Sequence, residues 1–176
     1  MREPAEKSLA RFGKVDVPVN NAGIALYSEV AHKTVSDWDI SLKTNLIAPF
    51  LLSQILGAEM VKNKYGKIIN IASIDAIYTY NAPSMEYDAS KAALINMTKN
   101  ELQPYVNVNC VAPGWVDTDM NKDLPQELID YQLDRICKKR FAKPEEAAKL
   151  VIFLAGDDAE FINSEVIKID GGYKLA

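Results

Sequence analysis

Apolar positions along this chain follow two alternating rhythms. Short apolar runs at 15–19, 67–72, 106–111 and 165–169 have strand length and end in turn-forming residues. The run at 67–72 is continuous enough to predict a strand buried on both faces. Longer segments at helical spacing lie between the runs. One covers 37–63, with Ser36 as its predicted N-cap and Tyr65-Gly66 as its break. A second covers 85–102 and stops before Pro104, and another starts at Pro144-Glu145-Glu146, with proline in its first turn. Residues 117–139 read as a helical excursion between the third and fourth runs. Alternating strands and helices predict a single α/β domain over residues 1–176, built on a parallel sheet.

In open parallel sheets, ligands bind beyond the carboxyl ends of the strands. Asn20-Asn21-Ala22-Gly23 follows the first run, Ser73 the second and Pro113-Gly114 the third. Three separate loops therefore converge on one rim. Tyr87 stands one loop beyond Ser73, and Lys91 follows Tyr87 by one helical turn, on the same helix face. An ammonium beside a phenol favours phenolate, so this spacing predicts a Tyr87 pKa lowered toward neutrality and a tyrosine able to act as general acid or base. Pro49, four residues after Asn45, removes the N–H that the Asn45 carbonyl would accept in a regular helix, and a carbonyl released in this way can hold a water.

Composition narrows the chemistry. The chain has 176 residues, is 48% hydrophobic and 25% charged, and carries a formal net charge of −4, without the basic excess of a nucleic-acid binder. The polar start has no signal-peptide core, and no uninterrupted apolar run reaches membrane-spanning length. Cys110 and Cys137 lie in no metal-like spacing and read as reduced thiols of a cytoplasmic protein. His32 is the only histidine, which disfavours a Ser-His-Asp triad or a multi-histidine metal site. Lys138-Lys139-Arg140 reads as a solvated face, and the loop tyrosines Tyr78 and Tyr80 as equally suited to lining a pocket or to packing.

Taken in order, Asn20-Asn21-Ala22-Gly23, Asn45, Ser73, Tyr87-xxx-Lys91, Pro113-Gly114 with Thr118, and Asp170-Gly171-Gly172 resemble the short-chain dehydrogenase/reductase family. The general look is similar to its 3-oxoacyl-carrier-protein reductases and its sugar or polyol dehydrogenases. The resemblance implies a three-layer Rossmann-like parallel sheet and interconversion of an alcohol and a carbonyl with NAD or NADP. It makes Tyr87 the proton carrier, Ser73 a hydrogen-bond donor to the substrate oxygen, Lys91 the partner of Tyr87 and of the nicotinamide ribose, and Asn45 the anchor of a relay water. Asn20, Asn21, Ala22 and Gly23, with Pro113, Gly114, Val116 and Thr118, are implied to hold the cofactor. It also implies a small-molecule substrate and a homo-oligomer, dimer or tetramer, built on the helices carrying Asn45 and Tyr87, with further contacts from the carboxyl-terminal Tyr173-Lys174-Leu175-Ala176.

The chain departs from the family pattern in two places. The eight glycines include no cluster of the kind that lets backbone approach a pyrophosphate, and only Gly13 precedes Gly23. Residues 1–14 resemble the helix before the family's fourth strand, so the expected fold is truncated at its amino-terminal side, with the first βαβ units missing and residues 15–19 at a sheet edge. Pro18 suits an edge. The interval from Lys99 to Val106 is also shorter than the family pattern. These departures support a second reading, a non-catalytic remnant or interaction module that binds no dinucleotide alone. The residues that read the ribose 2′ position lie outside the matching segments, so the resemblance does not choose between NAD and NADP.

Overall fold

The structure is a computed structural model, and it describes residues 3–78, 82–100, 104–122 and 124–174. Four parallel strands, β1 (Val19–Asn20), β2 (Gly66–Ile71), β3 (Val106–Pro113) and β4 (Val166–Ile169), lie side by side in chain order. The α/β class and the parallel sheet are as the sequence predicts. Helices α1 (Glu3–Phe12), α2 (Val35–Leu42) and α3 (Ala48–Asn63) precede β2. The one-turn α4 (Asp75–Tyr78) and α5 (Met85–Asn100) precede β3, and α6 (Gln126–Arg135) and α7 (Pro144–Ala155) precede β4.

Successive β2 side chains point to opposite faces, which fixes the layers. Ile68 joins Ala5, Leu56 and Met60, so α1 and α3 cover one face. Ile69 and Ile71 face Leu154, Leu150 and Val151 of α7 on the other. Each fully buried aliphatic side chain contributes roughly 1.5–3 kcal/mol. A third cluster, Ile74, Ile136 and Tyr173 with Tyr78, Trp115 and Phe141, closes the carboxyl end of the sheet.

Several boundaries differ from expectation. The first strand is only Val19–Asn20, although the Asp16 and Pro18 carbonyls accept from Lys67 and Ile69 N–H at 3.0 and 3.1 Å. A ladder pair at Val17 also needs an N–H from residue 18, which proline lacks. The cap of the long helix is Thr34 and not Ser36. Asp37 N–H donates to Thr34 Oγ1 at 3.2 Å and Thr34 N–H to Asp37 Oδ2 at 2.8 Å, a reciprocal capping box. The predicted 37–63 helix is interrupted by a π turn, Lys43–Ile47, in which Ala48 N–H reaches the Lys43 carbonyl. Pro49 lies next to this turn at the start of α3.

The 35–63 helical stretch is long and apolar enough, by length and composition, to cross a membrane, at mean hydropathy 1.3, although no uninterrupted apolar run in the sequence reaches that length. It packs against α5 and the sheet and buries Ser41, Asn45 and Ser53 inward. Among its described residues, the 117–139 excursion contains a 3-10 turn, Asp119–Asn121, and α6, which ends at Arg135 with Ile136 as its C-cap. Gly171 and Gly172 adopt φ of +65° and +78°, which favours glycine, and their carbonyls accept from Lys138 and Cys137 N–H. Both cysteines are free, Cys110 buried and Cys137 exposed. The end of the helix at 102, Tyr80, Leu175-Ala176 and part of the short interval before Val106 lie outside the described residues.

Candidate active site

A cleft of about 750 Å³ opens at the carboxyl ends of β1, β2 and β3. Asn21, Ala22, Gly23, Ser73, Tyr87, Lys91, Pro113, Gly114, Val116 and Thr118 all line it. The rim predicted from three strand ends is therefore a single concave surface.

Ser73 follows β2 and is 7% exposed. Its Oγ accepts from Asp75 N–H at 3.2 Å, and its hydroxyl is a neighbour whose hydrogen bonding favours the Tyr87 phenolate. Tyr87 stands in the first turn of α5, with Lys91 one turn on. Lys91 is 3% exposed; its Nζ donates to the Ile71 carbonyl at 2.7 Å and lies 5.7 Å from the Tyr87 ring centroid.

This geometry corrects the expected ionisation. The Tyr87 phenol is pushed above its ordinary pKa, chiefly by burial. The Ser73 hydrogen bond opposes that rise, while the negative surroundings of Asp75, Tyr27 and Asp88 add to it. Lys91 does not overcome burial because its ammonium is committed to Ile71, and burial lowers its own pKa to about 8. The protein without ligand therefore presents a neutral phenol beside a charged but weakened ammonium at neutral pH.

Asn45 is fully buried in the π turn. Its amide brackets Ile24, accepting from the backbone N–H and donating to the carbonyl, both at 2.9 Å. Its Nδ2 also donates to Ser90 Oγ at 2.9 Å, and Ser90 donates to the Tyr87 carbonyl at 2.7 Å. One amide thus ties the loop after β1 to the helix bearing Tyr87. Gly23 must be small, because a Cβ there would come within 3.1 Å of Lys91 Nζ and 3.4 Å of Asn45 Oδ1. Gly114 passes equally close to Asp170, where a Cβ would stand at 3.0 Å.

Asn20 does not reach the cleft. It is 6% exposed and donates to Asn70 Oδ1 at 2.7 Å, while Asn70 donates to Thr98 Oγ1 at 2.9 Å. The pleat turns its side chain inward between β1 and β2, so it pins the sheet and does not touch a ligand. Asn45 likewise lies behind the wall and not in its surface. Tyr78 packs: it stacks on Tyr173 at 5.9 Å and accepts from Lys168 at 2.5 Å.

Part of the cleft is marked by no motif in the sequence. Pro144, Ala147, Ala148 and Val151 of α7 form its far wall, a spacing of three, four and seven visible in the sequence once that helix is placed beside the rim. Asn121 also lines it and fixes the strand-end turn by donating to the Val116 carbonyl at 2.7 Å. Among the described residues, no group of His, Cys, Asp and Glu side chains could hold a metal ion.

The donor set fits one half of a dinucleotide. A buried ammonium and a phenol face a largely apolar wall that includes Thr118, with Gly23 and Gly114 in the same lining. That combination suits a ribose and a flat amide-bearing ring. The residues of the cleft include no clustered-glycine turn for a pyrophosphate.

A family model described as enoyl-(acyl carrier protein) reductase matches residues 1–174. The 3-oxoacyl-(acyl-carrier-protein) reductase of Thermotoga maritima is 38% identical over 98% of this chain and 71% of its own length. That of Aquifex aeolicus is 40% identical over 90% and 65%. A gluconate 5-dehydrogenase from Burkholderia cenocepacia, solved with NADP and tartrate, superposes with a TM-score of 0.91 at 29% identity, covering 97% of this chain and 69% of that one. The chain therefore spans about two thirds to seven tenths of the length of these relatives. With its parallel sheet, its Ser73–Tyr87–Lys91 wall and these matches, the chain belongs to the short-chain dehydrogenase/reductase family of NAD(P)-dependent oxidoreductases.

Proposed function

We propose that the cleft interconverts a small secondary alcohol and its carbonyl with NADP or NAD, and that Tyr87 is its acid–base group. The observation that carries this reading is the convergence of Ser73, Tyr87 and a buried Lys91 on the lining of one cleft at the strand ends. Lys91 and Thr118 would hold the ribose and the nicotinamide amide, and Asn21 to Gly23 would pack against the ring edge. When bound, the nicotinamide supplies or accepts the hydride.

In the reducing direction the Tyr87 hydroxyl gives its proton to the carbonyl oxygen, and in the oxidising direction it takes that proton back. Ser73 donates its hydroxyl proton to the same oxygen and so orients the carbonyl. Lys91 stabilises the phenolate left after proton transfer, and the Asn45 carbonyl beside Pro49 is the place for a water that returns a proton. The neutral phenol is the form that serves as the acid in carbonyl reduction. Similarity to 3-oxoacyl-(acyl-carrier-protein) reductases and to a gluconate 5-dehydrogenase supports 3-oxoacyl thioesters and keto-sugar acids as trial substrates.

The working form is a cytoplasmic homo-oligomer, with the π turn, α3 and α5 as contact surface; they enclose an apolar hollow lined by Leu46, Ile47, Phe50, Ala93, Asn96 and Met97. The purified chain is titrated with NADPH and NADH, with nucleotide fluorescence and thermal shift as readouts. A saturating response to either nucleotide is expected. No response to both at about millimolar concentration (a free energy near −4 kcal/mol) contradicts the enzyme reading and favours the non-catalytic module, which the missing glycine cluster supports.

A further inference from the structure

Lys33 and Glu86 form an ion pair at 2.7 Å with side chains 4% and 0% exposed. Every other ion pair among the described residues has at least one exposed partner. Removing two charges from water is costly, and surface hydrophobes would fill the same space without that cost. The pair joins two segments 53 residues apart in the chain. Glu86 is the residue before Tyr87. Lys33 closes the loop after β1, and its Nζ also donates to the Leu26 carbonyl on that loop. Ser28 N–H donates to the Pro83 carbonyl at 3.1 Å across the same seam, and Asn45 brackets Ile24 at its start. The loop carries Tyr27, whose phenol is partly buried in the field of Asp75 and Asp88 and contributes to the field at Tyr87.

We propose that Lys33 and Glu86 are positioning residues: their buried ion pair locks the 24–33 loop, and with it Tyr27, against the first turn of α5 and so fixes the position of Tyr87 in that turn. This rests on the reading of Tyr87 as the acid–base group. The pair is suited to the task because a charge pair in a dry seam tolerates one geometry, whereas apolar packing tolerates several. Opening the seam would strand both charges, so the loop and the helix turn move as one unit.

The test replaces both charges by apolar side chains of similar length, Lys33→Met with Glu86→Met, so that no unpaired charge remains buried. Residue-resolved hydrogen exchange and the Cζ resonances of 13C-labelled tyrosine are read without turnover, so their outcome is independent of whether the chain is catalytic. The expected result is exchange of the Ile24 and Ser28 amides about tenfold faster than in the parent, with β2 and β3 amides within about twofold. The Tyr27 and Tyr87 resonances shift while those of Tyr65 and Tyr131 stay in place. Unchanged exchange and resonances overturn the proposal. So does exchange accelerated equally across β2 and β3, or a double variant that does not fold, since either makes the pair a support of the whole fold. Unshifted Tyr27 and Tyr87 with normal exchange elsewhere also overturns it, whatever the activity of Tyr87→Phe shows.

Discussion

Lys91 holds its proton at a cost. Its pKa in the folded protein is about 8 against an ordinary 10.5, so folding disfavours the ammonium. Below about pH 8 both the folded and unfolded chains are protonated there and the cost is fully present. Between about pH 8 and 10.5 the unfolded chain binds more protons, so stability rises with pH, by at most about 1.4 kcal/mol per pH unit. Cys110 and Tyr87 act in the opposite sense, because burial raises both and their folded forms lose stability as pH climbs above the ordinary thiol and phenol values. Lys91→Met isolates the lysine contribution. In urea unfolding, the parent is expected to gain stability relative to Lys91→Met as pH rises from about 8 to 10; a parent that loses ground over that window contradicts the buried-ammonium assignment. Catalysis has its own pH signature. Since Tyr87 rests as a neutral acid, carbonyl reduction is expected to stay level between about pH 6 and 8 and to fall only on the alkaline side, measured as the initial rate of NADPH oxidation.

The π turn is the element that places Asn45. Proline at position 49 cannot donate to the Asn45 carbonyl, and next to it the helix widens over Lys43–Ile47. In that widened turn Asn45 brackets Ile24. Pro49→Ala restores the missing N–H, so the turn is expected to regularise toward α geometry and weaken the Asn45–Ile24 pair; faster exchange at the Ile24 amide, with β3 unaffected, is the readout. Gly66 is constrained by space: a Cβ there would lie 2.4 Å from Met60 Cγ and Sδ, and Met60 is 1% exposed. Gly66→Ala is expected to cost about 1–3 kcal/mol in denaturant unfolding, and a neutral effect would show that Met60 can retreat. The strands and the rim were legible in the sequence because continuous apolar runs and turn residues encode them locally. The Tyr87–Lys91 pair was legible because a spacing of four on one helix face needs no tertiary knowledge, and Ser73 because it follows a strand. What was not legible depends on partners distant in sequence. Thr34 outcompetes Ser36 as cap through the reciprocal bond with Asp37. The inward turn of Asn20 depends on Asn70. The ionisation of Tyr87 depends on how deeply the fold buries it and on where Lys91 Nζ points, neither of which a spacing of four reveals.

Across the whole molecule, two surfaces follow from the layered sheet. At its β1 edge, Val19 is 42% exposed, and among the described residues no strand lies beyond it. Such an edge pairs readily with other chains, so Val19→Lys is expected to lower the concentration-dependent light scattering of the purified protein; an unchanged scattering curve would show that the edge is not the associating surface. On the α3–α5 side, Phe50 is 46% exposed at the apolar hollow, and Phe50→Asp is expected to reduce the oligomer to a smaller species in light scattering, whereas a parent that is already monomeric contradicts the interface. The cleft itself joins both sides of the sheet: α5 supplies Tyr87 and Lys91 from one face, α7 supplies the apolar wall from the other, and the strand ends supply the floor. In the proposed reaction this arrangement transfers a proton through Tyr87 to a substrate whose carbon exchanges hydride with nicotinamide. Its most direct test is NADPH oxidation with a 3-oxoacyl thioester or keto-sugar acid by the parent and by Tyr87→Phe, with NADPH binding measured on the same samples. Similar NADPH binding by both is expected, with a rate at least about 100-fold lower for Tyr87→Phe; a variant that binds NADPH and turns over within a few-fold of the parent rules out Tyr87 as the acid–base group.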